Sequence, residues 1–147
     1  MGKISWNDLQ GEKHYDRWRS YSQSKLANVM FALELDKRLR KSNSSVASLI
    51  AHPGIAKTNL HSSSLSSDTP WKEKFAYKLM LPFFQSSYMG ALPQLYAATD
   101  PRAKGGEQYG PRFSFKGFPR LCSNAPLALN GNEREKLWRL SEELLSF

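Results

Sequence analysis

"YSQSKLANVMFALELDKRLRK", residues 21–41, has the periodicity that organises the rest of the chain. Leu26, Val29, Met30, Leu33 and Leu39 follow the 3.6-residue period of a helix, while Glu34, Asp36, Lys37, Arg38 and Arg40 mostly fall elsewhere around it. The spacing predicts a helix from about Trp18 to Lys41. Its last turn is cationic, which suits the negative end of the helix dipole, and "SNSS" (42–45) ends it. At its head Tyr21 and Lys25 are four residues apart. They therefore lie one above the other on one face and can serve one site.

Downstream, "VASLIAHPG" (46–54) is a short, nearly uninterrupted apolar run closed by Pro-Gly. Between helices, such a run reads as a strand buried on both faces of a parallel sheet. Residues 56–69 are rich in Ser and Thr and read as a mobile loop. Thr69-Pro70 opens a short amphipathic helix, "WKEKFAYKLML". A further helix runs through "SSYMGALPQLYAATD", with Pro93 kinking it or delaying its start. "GGEQYGPRFSF" (105–115) reads as a turn and a strand. The final helix is capped by Asn130 with Glu133 and buries Leu137, Leu140 and Leu144. Upstream, residues 1 to about 17 are polar and turn-rich, hence loop. The alternation is α/β with about two strands, too few for a stable doubly wound sheet, so the architecture reads as cut from a larger one.

Composition narrows the function classes. The chain has 147 residues, one domain's length, with 40% apolar and 12% aromatic residues, which is ordinary for a packed protein. Its net charge of +8 is dispersed rather than clustered as in nucleic-acid readers, so no nucleic-acid partner is expected. The lone Cys122 excludes an intrachain disulfide and suits a reducing compartment. His14, His52 and His61 lack metal-ligand spacing, so no metal site is expected. The N-terminal stretch has no apolar signal core, Trp6 stands where a myristoylation site needs Ser or Thr, and no run is long enough to span a bilayer. The expected location is cytoplasmic, with membrane association through residues 70–84. There Trp71, Phe75, Leu79, Phe83 and Phe84 alternate with Lys72, Lys74 and Lys78, a basic-aromatic pattern suited to an anionic interface. Together with the preceding serine-rich loop, residues 56 to about 84 are expected to form a lid.

A phenol titrates near 10 and is a poor proton donor or acceptor at neutral pH. An ammonium beside it favours the phenolate; a shift of roughly three units takes about 4 kcal/mol of differential stabilisation. Such a phenol becomes an acid for carbonyl reduction or a base for alcohol oxidation. Tyr-x-x-x-Lys alone is common by chance. Here "YSQSKLANVMFALEL" is followed some thirty residues later by "AHPGIAKTNL", opened by "GKISWNDLQGEKHYDRWRS", and accompanied by "GALPQLYAAT". Along essentially its whole length the chain resembles the short-chain dehydrogenase/reductase family, in its retinol-dehydrogenase-like branch.

The resemblance implies the C-terminal half of a Rossmann-type, doubly wound parallel sheet, with the N-terminal half of the same fold absent. It implies that Tyr21 is the catalytic acid/base and that Lys25 holds the nicotinamide-ribose hydroxyls. Pro53, Gly54 and Ile55 would form the turn that meets the nicotinamide carboxamide, and Thr58 would add a hydroxyl near the nicotinamide or the pyrophosphate. The implied cofactor is NADP(H) ahead of NAD(H), and the implied substrate a small or lipophilic carbonyl or alcohol. No G-x-x-x-G-x-G or G-x-G-x-x-G phosphate loop occurs, and the family's catalytic serine belongs upstream of Met1, since Ser5 is too near the helix. The chain by itself is therefore expected to be inactive. The alternative is a truncated relative acting at most as an interaction or membrane-surface module.

Overall fold

Asp16 starts the first helix. Its carboxylate accepts the Arg19 N–H at 2.7 Å, and α1 then runs Arg17–Lys41. The helix ends at Asn43, whose φ of 53° is left-handed. Asn43 N–H bonds Arg40 C=O and Ser44 N–H bonds Leu39 C=O, so "SNSS" stops the helix with an Asn-centred Schellman arrangement. The computed structural model describes residues 2–56, 71, 75, 78, 79 and 84–146. After α1 come β1 (Ile50–Ala51), α2 (Ser87–Thr99), β2 (Gln108–Pro111), β3 (Pro119–Cys122), a 3₁₀ turn (Pro126–Leu129) and α3 (Gly131–Leu145). The expected loop at 56–69, the Thr69-Pro70 helix start and the lid over 56–84 lie largely outside the described residues. Of that stretch, Trp71, Phe75, Lys78 and Leu79 are helical and exposed. No helix among the described residues is long and apolar enough to cross a membrane.

The chain divides into two compact units. The first comprises Met1–Ile50, Lys104–Glu107 and Ser123–Phe147. Its core is Leu26 and Met30 of α1, Ala128 of the 3₁₀ turn and Leu137 of α3, flanked by Ile4, Trp6, Leu9, Ala27, Val29, Leu33 and Ala125. Two acids expected away from this face are buried on α1. Glu34 is held by Lys37 at 3.4 Å, Arg38 at 3.1 Å and Arg134 of α3 at 3.7 Å. Asp36 pairs with Arg40 and accepts Ser48 N–H at 3.3 Å. A carboxylate is tolerated at such depth because it is paired. On α3, Leu137 is buried, Leu140 half-buried and Leu144 exposed, so the expected stripe is covered only over its first turns. Asn130 caps α3 by accepting from Asn132 and Glu133 N–H, whereas the Glu133 carboxylate bonds Trp6 Nε1 at 2.9 Å instead of closing a box.

The second unit comprises Ala51–Ala103 and Gln108–Cys122. The sheet is three-stranded, in the order β1-β2-β3. Ile50 N–H bonds Glu107 C=O and His52 N–H bonds Tyr109 C=O, so residue numbers rise together and this pairing is parallel. The β2–β3 pairing is antiparallel, with Tyr109 opposite Leu121, and makes the sheet mixed. β3 is the strand the periodicity did not announce. β1 is shorter and less covered than the apolar run predicts: both residues are half-buried, because the strand lies at a sheet edge. α2 begins at Ser87 behind the Ser86 cap and continues past Pro93 to Thr99, so Pro93 does not delay its start. Tyr96 of α2 meets the buried Tyr109 of β2 with ring centroids 5.0 Å apart.

Candidate functional site

Tyr21 and Lys25 sit on the second and third turns of α1, as their spacing predicts. The Lys25 Nζ lies 5.4 Å from the centroid of the Tyr21 ring, within cation–π range. Tyr21 is 56% exposed and Lys25 is exposed. Neighbouring residues fix which way this face turns. Gln23 accepts Ser5 N–H at 2.8 Å and donates to Leu9 C=O at 2.9 Å, clasping the N-terminal loop. Leu26 and Met30 are driven into the core. With those positions committed inward, the helical period turns Tyr21 and Lys25 outward. Ser5 accepts from Arg19 at 2.9 Å and is a loop clasp.

The pair lies outside a groove that unit 1 holds alongside it. A groove of about 680 Å³ runs along the adjoining stripe of α1, past Ser20, Gln23, Ser24 and Ala27, and against Leu137 and Ser141 of α3. Neither Tyr21 nor Lys25 lines it.

In unit 2 the turn after β1 is built by close backbone approach. Gly54 has φ 65°, and a Cβ there would come within 2.5 Å of Phe115 O. At Gly110 a Cβ would collide with the imidazole of His52, which lies across the strand. Burial pushes the His52 pKa below its ordinary value, and its Nδ1 accepts Gly54 N–H at 3.3 Å. Ile55 N–H donates to Phe115 C=O at 2.8 Å, and Ile55 C=O accepts Gln85 N–H at 2.9 Å. Pro53 C=O accepts Gln85 Nε2 at 2.6 Å. The Gln85 side chain also accepts Gly117 N–H at 2.9 Å. Pro53, Gly54 and Ile55 thus form one turn, and these backbone groups are engaged within unit 2. Thr58 lies outside the described residues. Gln85, which ties the turn together, has no sequence signal: a lone glutamine before a helix cap looks like loop.

The donor set on α1, a phenol and an ammonium on successive turns, fits the hydroxyls of a nicotinamide ribose. The pyrophosphate finds no such fit among the described residues. Gly105 and Gly106 pack on the carboxylate of Asp36, so that turn carries an anion rather than a phosphate cradle.

No family profile matches the chain. Retinol dehydrogenase 12 of Homo sapiens is 37% identical over 147 residues, covering 99% of this chain and 42% of that protein. Retinol dehydrogenase 14 of Homo sapiens is 33% identical over 147 residues, covering 98% of this chain and 40% of its own length. The crystal structure of an uncharacterized protein from Mycobacterium Paratuberculosis superposes with a TM-score of 0.74 at 33% identity. That match covers 97% of this chain and 45% of the other. This chain spans about two fifths of the length of the retinol dehydrogenases, matching their C-terminal part. With the Tyr21–Lys25 pair at the head of α1, these likenesses place the chain in the short-chain dehydrogenase/reductase family, in its retinol-dehydrogenase-like branch.

Proposed function

We propose that this chain is the C-terminal part of an NAD(P)-dependent oxidoreductase acting on a small or lipophilic carbonyl or alcohol. Tyr21 serves as its proton donor and acceptor. Family membership implies a nicotinamide cofactor, which when bound supplies or accepts the hydride. In reduction, the Tyr21 hydroxyl hydrogen-bonds the substrate oxygen and releases its proton to it as the carbonyl carbon gains hydride; oxidation reverses both transfers. Lys25 hydrogen-bonds the ribose hydroxyls and favours the phenolate left on Tyr21. Pro53, Gly54 and Ile55 shape the turn beside the nicotinamide, with Thr58 adding a hydroxyl. NADP(H) is the proposed cofactor ahead of NAD(H). The observation that carries this reading is the 5.4 Å approach of Lys25 Nζ to the Tyr21 ring on an exposed face of α1.

Turnover requires the N-terminal half of the fold, which supplies the phosphate loop and the serine. The test joins this chain to the N-terminal part its relatives carry and measures reduction of an aldehyde series with NADPH and NADH. Lys25→Ala should raise the dinucleotide KM and lower kcat together. Unchanged values for both would remove Lys25 from the site.

A second role rests on Trp71, Phe75 and Leu79, which recur every four residues and are all exposed. An apolar helical stripe of this kind supports peripheral membrane contact through 70–84.

A further inference from the structure

The β2–β3 hairpin carries an exposed apolar and basic tip: its Phe115 and Gly117 backbone ties the 53–55 turn, but the side chains of Arg112, Phe113, Phe118 and Arg120 take no part in the redox site. Between Gln108 and Asn132 the sequence has no Asp or Glu, but it has Arg112, Lys116 and Arg120. Phe113 is 58% exposed, Phe118 71% and Leu121 57%. Arg112 and Arg120 are exposed beside them, and the Arg112 guanidinium stands 5.6 Å from the Phe113 ring centroid.

The tip is held in shape. Arg112 N–H bonds Phe118 C=O at 2.9 Å, Phe113 N–H bonds Lys116 C=O at 3.1 Å, and Ser114 N–H bonds Pro111 C=O at 2.9 Å. Phe115 is half-buried, and its carbonyl is tied to Ile55. The hairpin therefore presents Phe113 and Phe118 from an ordered turn rather than from a loop that could fold them away.

Edge protection explains part of this composition. β3 is a sheet edge, and a proline and a charge such as Pro119 and Arg120 blunt an edge against pairing with other chains. It does not explain two exposed phenylalanines at the tip, since exposed aromatics promote the very association that edge protection prevents. Three cations spread over Arg112 to Arg120 are also fewer than the basic track along which a nucleic-acid backbone is held. Aromatic side chains in the headgroup layer with arginines against anionic phosphates satisfy both halves of the pattern.

We propose that the β2–β3 hairpin docks on anionic phospholipid surfaces, with Phe113 and Phe118 entering the interface and Arg112 and Arg120 bound to lipid phosphates. This surface belongs to a different segment of the sequence from residues 70–84 and does not depend on the redox reading.

This chain, joined to the N-terminal part its relatives carry, is floated with vesicles of phosphatidylcholine alone or of phosphatidylcholine mixed with phosphatidylserine. Wild type should float with the anionic vesicles and lose partition as salt rises. Arg112→Ser with Arg120→Ser should lower that partition about 30-fold, from roughly a tenfold loss per 1.4 kcal/mol and about 1 kcal/mol for each cation. Phe113→Ser with Phe118→Ser should lower it at least several-fold, whereas Trp71→Ser with Phe75→Ser should leave a hairpin-dependent fraction. A conservative variant, Phe118→Trp, keeps the test independent of whether the serine variants fold. Its added fluorescence should be quenched by brominated lipid beyond the wild-type background. The proposal is overturned if wild type does not float, if the hairpin variants float like wild type, or if the Phe118→Trp signal is not quenched. Retention on single-stranded RNA with no anionic-vesicle binding would equally overturn it and assign the surface to nucleic acid.

Discussion

At the scale of single residues, the turn after β1 is governed by atoms the side-chain pattern does not display. Gly54 and Gly110 look like ordinary turn and strand glycines in the sequence. In the fold, one accommodates the Phe115 backbone and the other the His52 ring. Gly110→Ala should cost about 1–3 kcal/mol, because the methyl group meets an imidazole packed on the strand; urea unfolding checks this. His52 makes a pH prediction with a definite sign. Its folded pKa lies below the ordinary 6.5, so the unfolded chain takes up the proton first as pH falls. Its contribution is complete above about 6.5 and is lost as pH falls toward the folded value, with the Nδ1 acceptor for Gly54 N–H lost as well. Thermal melts between pH 8 and 5 should show a steeper acid fall in Tm for wild type than for His52→Asn, whose amide oxygen can still accept from Gly54. Parallel curves would remove His52 as the cause. Tyr21 and Lys25, by contrast, were legible from the sequence, because helical spacing alone places them together.

At the scale of elements, α1 was readable nearly to its ends. A capping aspartate, a single apolar period and a cationic last turn all agree on one helix. What hydropathy could not read is the burial of Glu34 and Asp36. A carboxylate scores as surface wherever it falls, and only the arrival of Arg134 from α3 and of residues 48 and 105 around Asp36 makes the interior acceptable. β3 was missed for a related reason: "PRLC" has neither alternation nor length, and its strand character comes from pairing with β2. Two substitutions separate local from tertiary stabilisation in α1. Asp16→Ala removes an exposed cap and should cost about 1 kcal/mol. Glu34→Ala should cost more, about 2–4 kcal/mol, because it leaves Arg134 without its buried partner. Equal losses for the two in denaturant unfolding would mean that the Glu34 cluster is energetically idle.

At the scale of the whole molecule, the chain aligns with the C-terminal part of proteins more than twice its length. That explains why chemistry was easier to read than architecture: the Tyr-Lys pair is local, whereas a sheet is completed by strands far away in sequence. On the proposed reading the phosphate loop and the serine come from the N-terminal part of the fold, so the 147 residues alone should bind dinucleotide weakly and show no turnover. Micromolar NADPH binding to this chain in calorimetry would contradict that expectation. The central claim is that Tyr21 transfers the proton, and one comparison tests it most directly. With the N-terminal part of the fold supplied, kcat and NADPH affinity are measured on the same preparations of wild type and Tyr21→Phe. The account predicts that kcat falls by at least about 10²–10⁴-fold while cofactor affinity stays within a few-fold of wild type. A Tyr21→Phe enzyme that binds NADPH and turns over at the wild-type rate would contradict it.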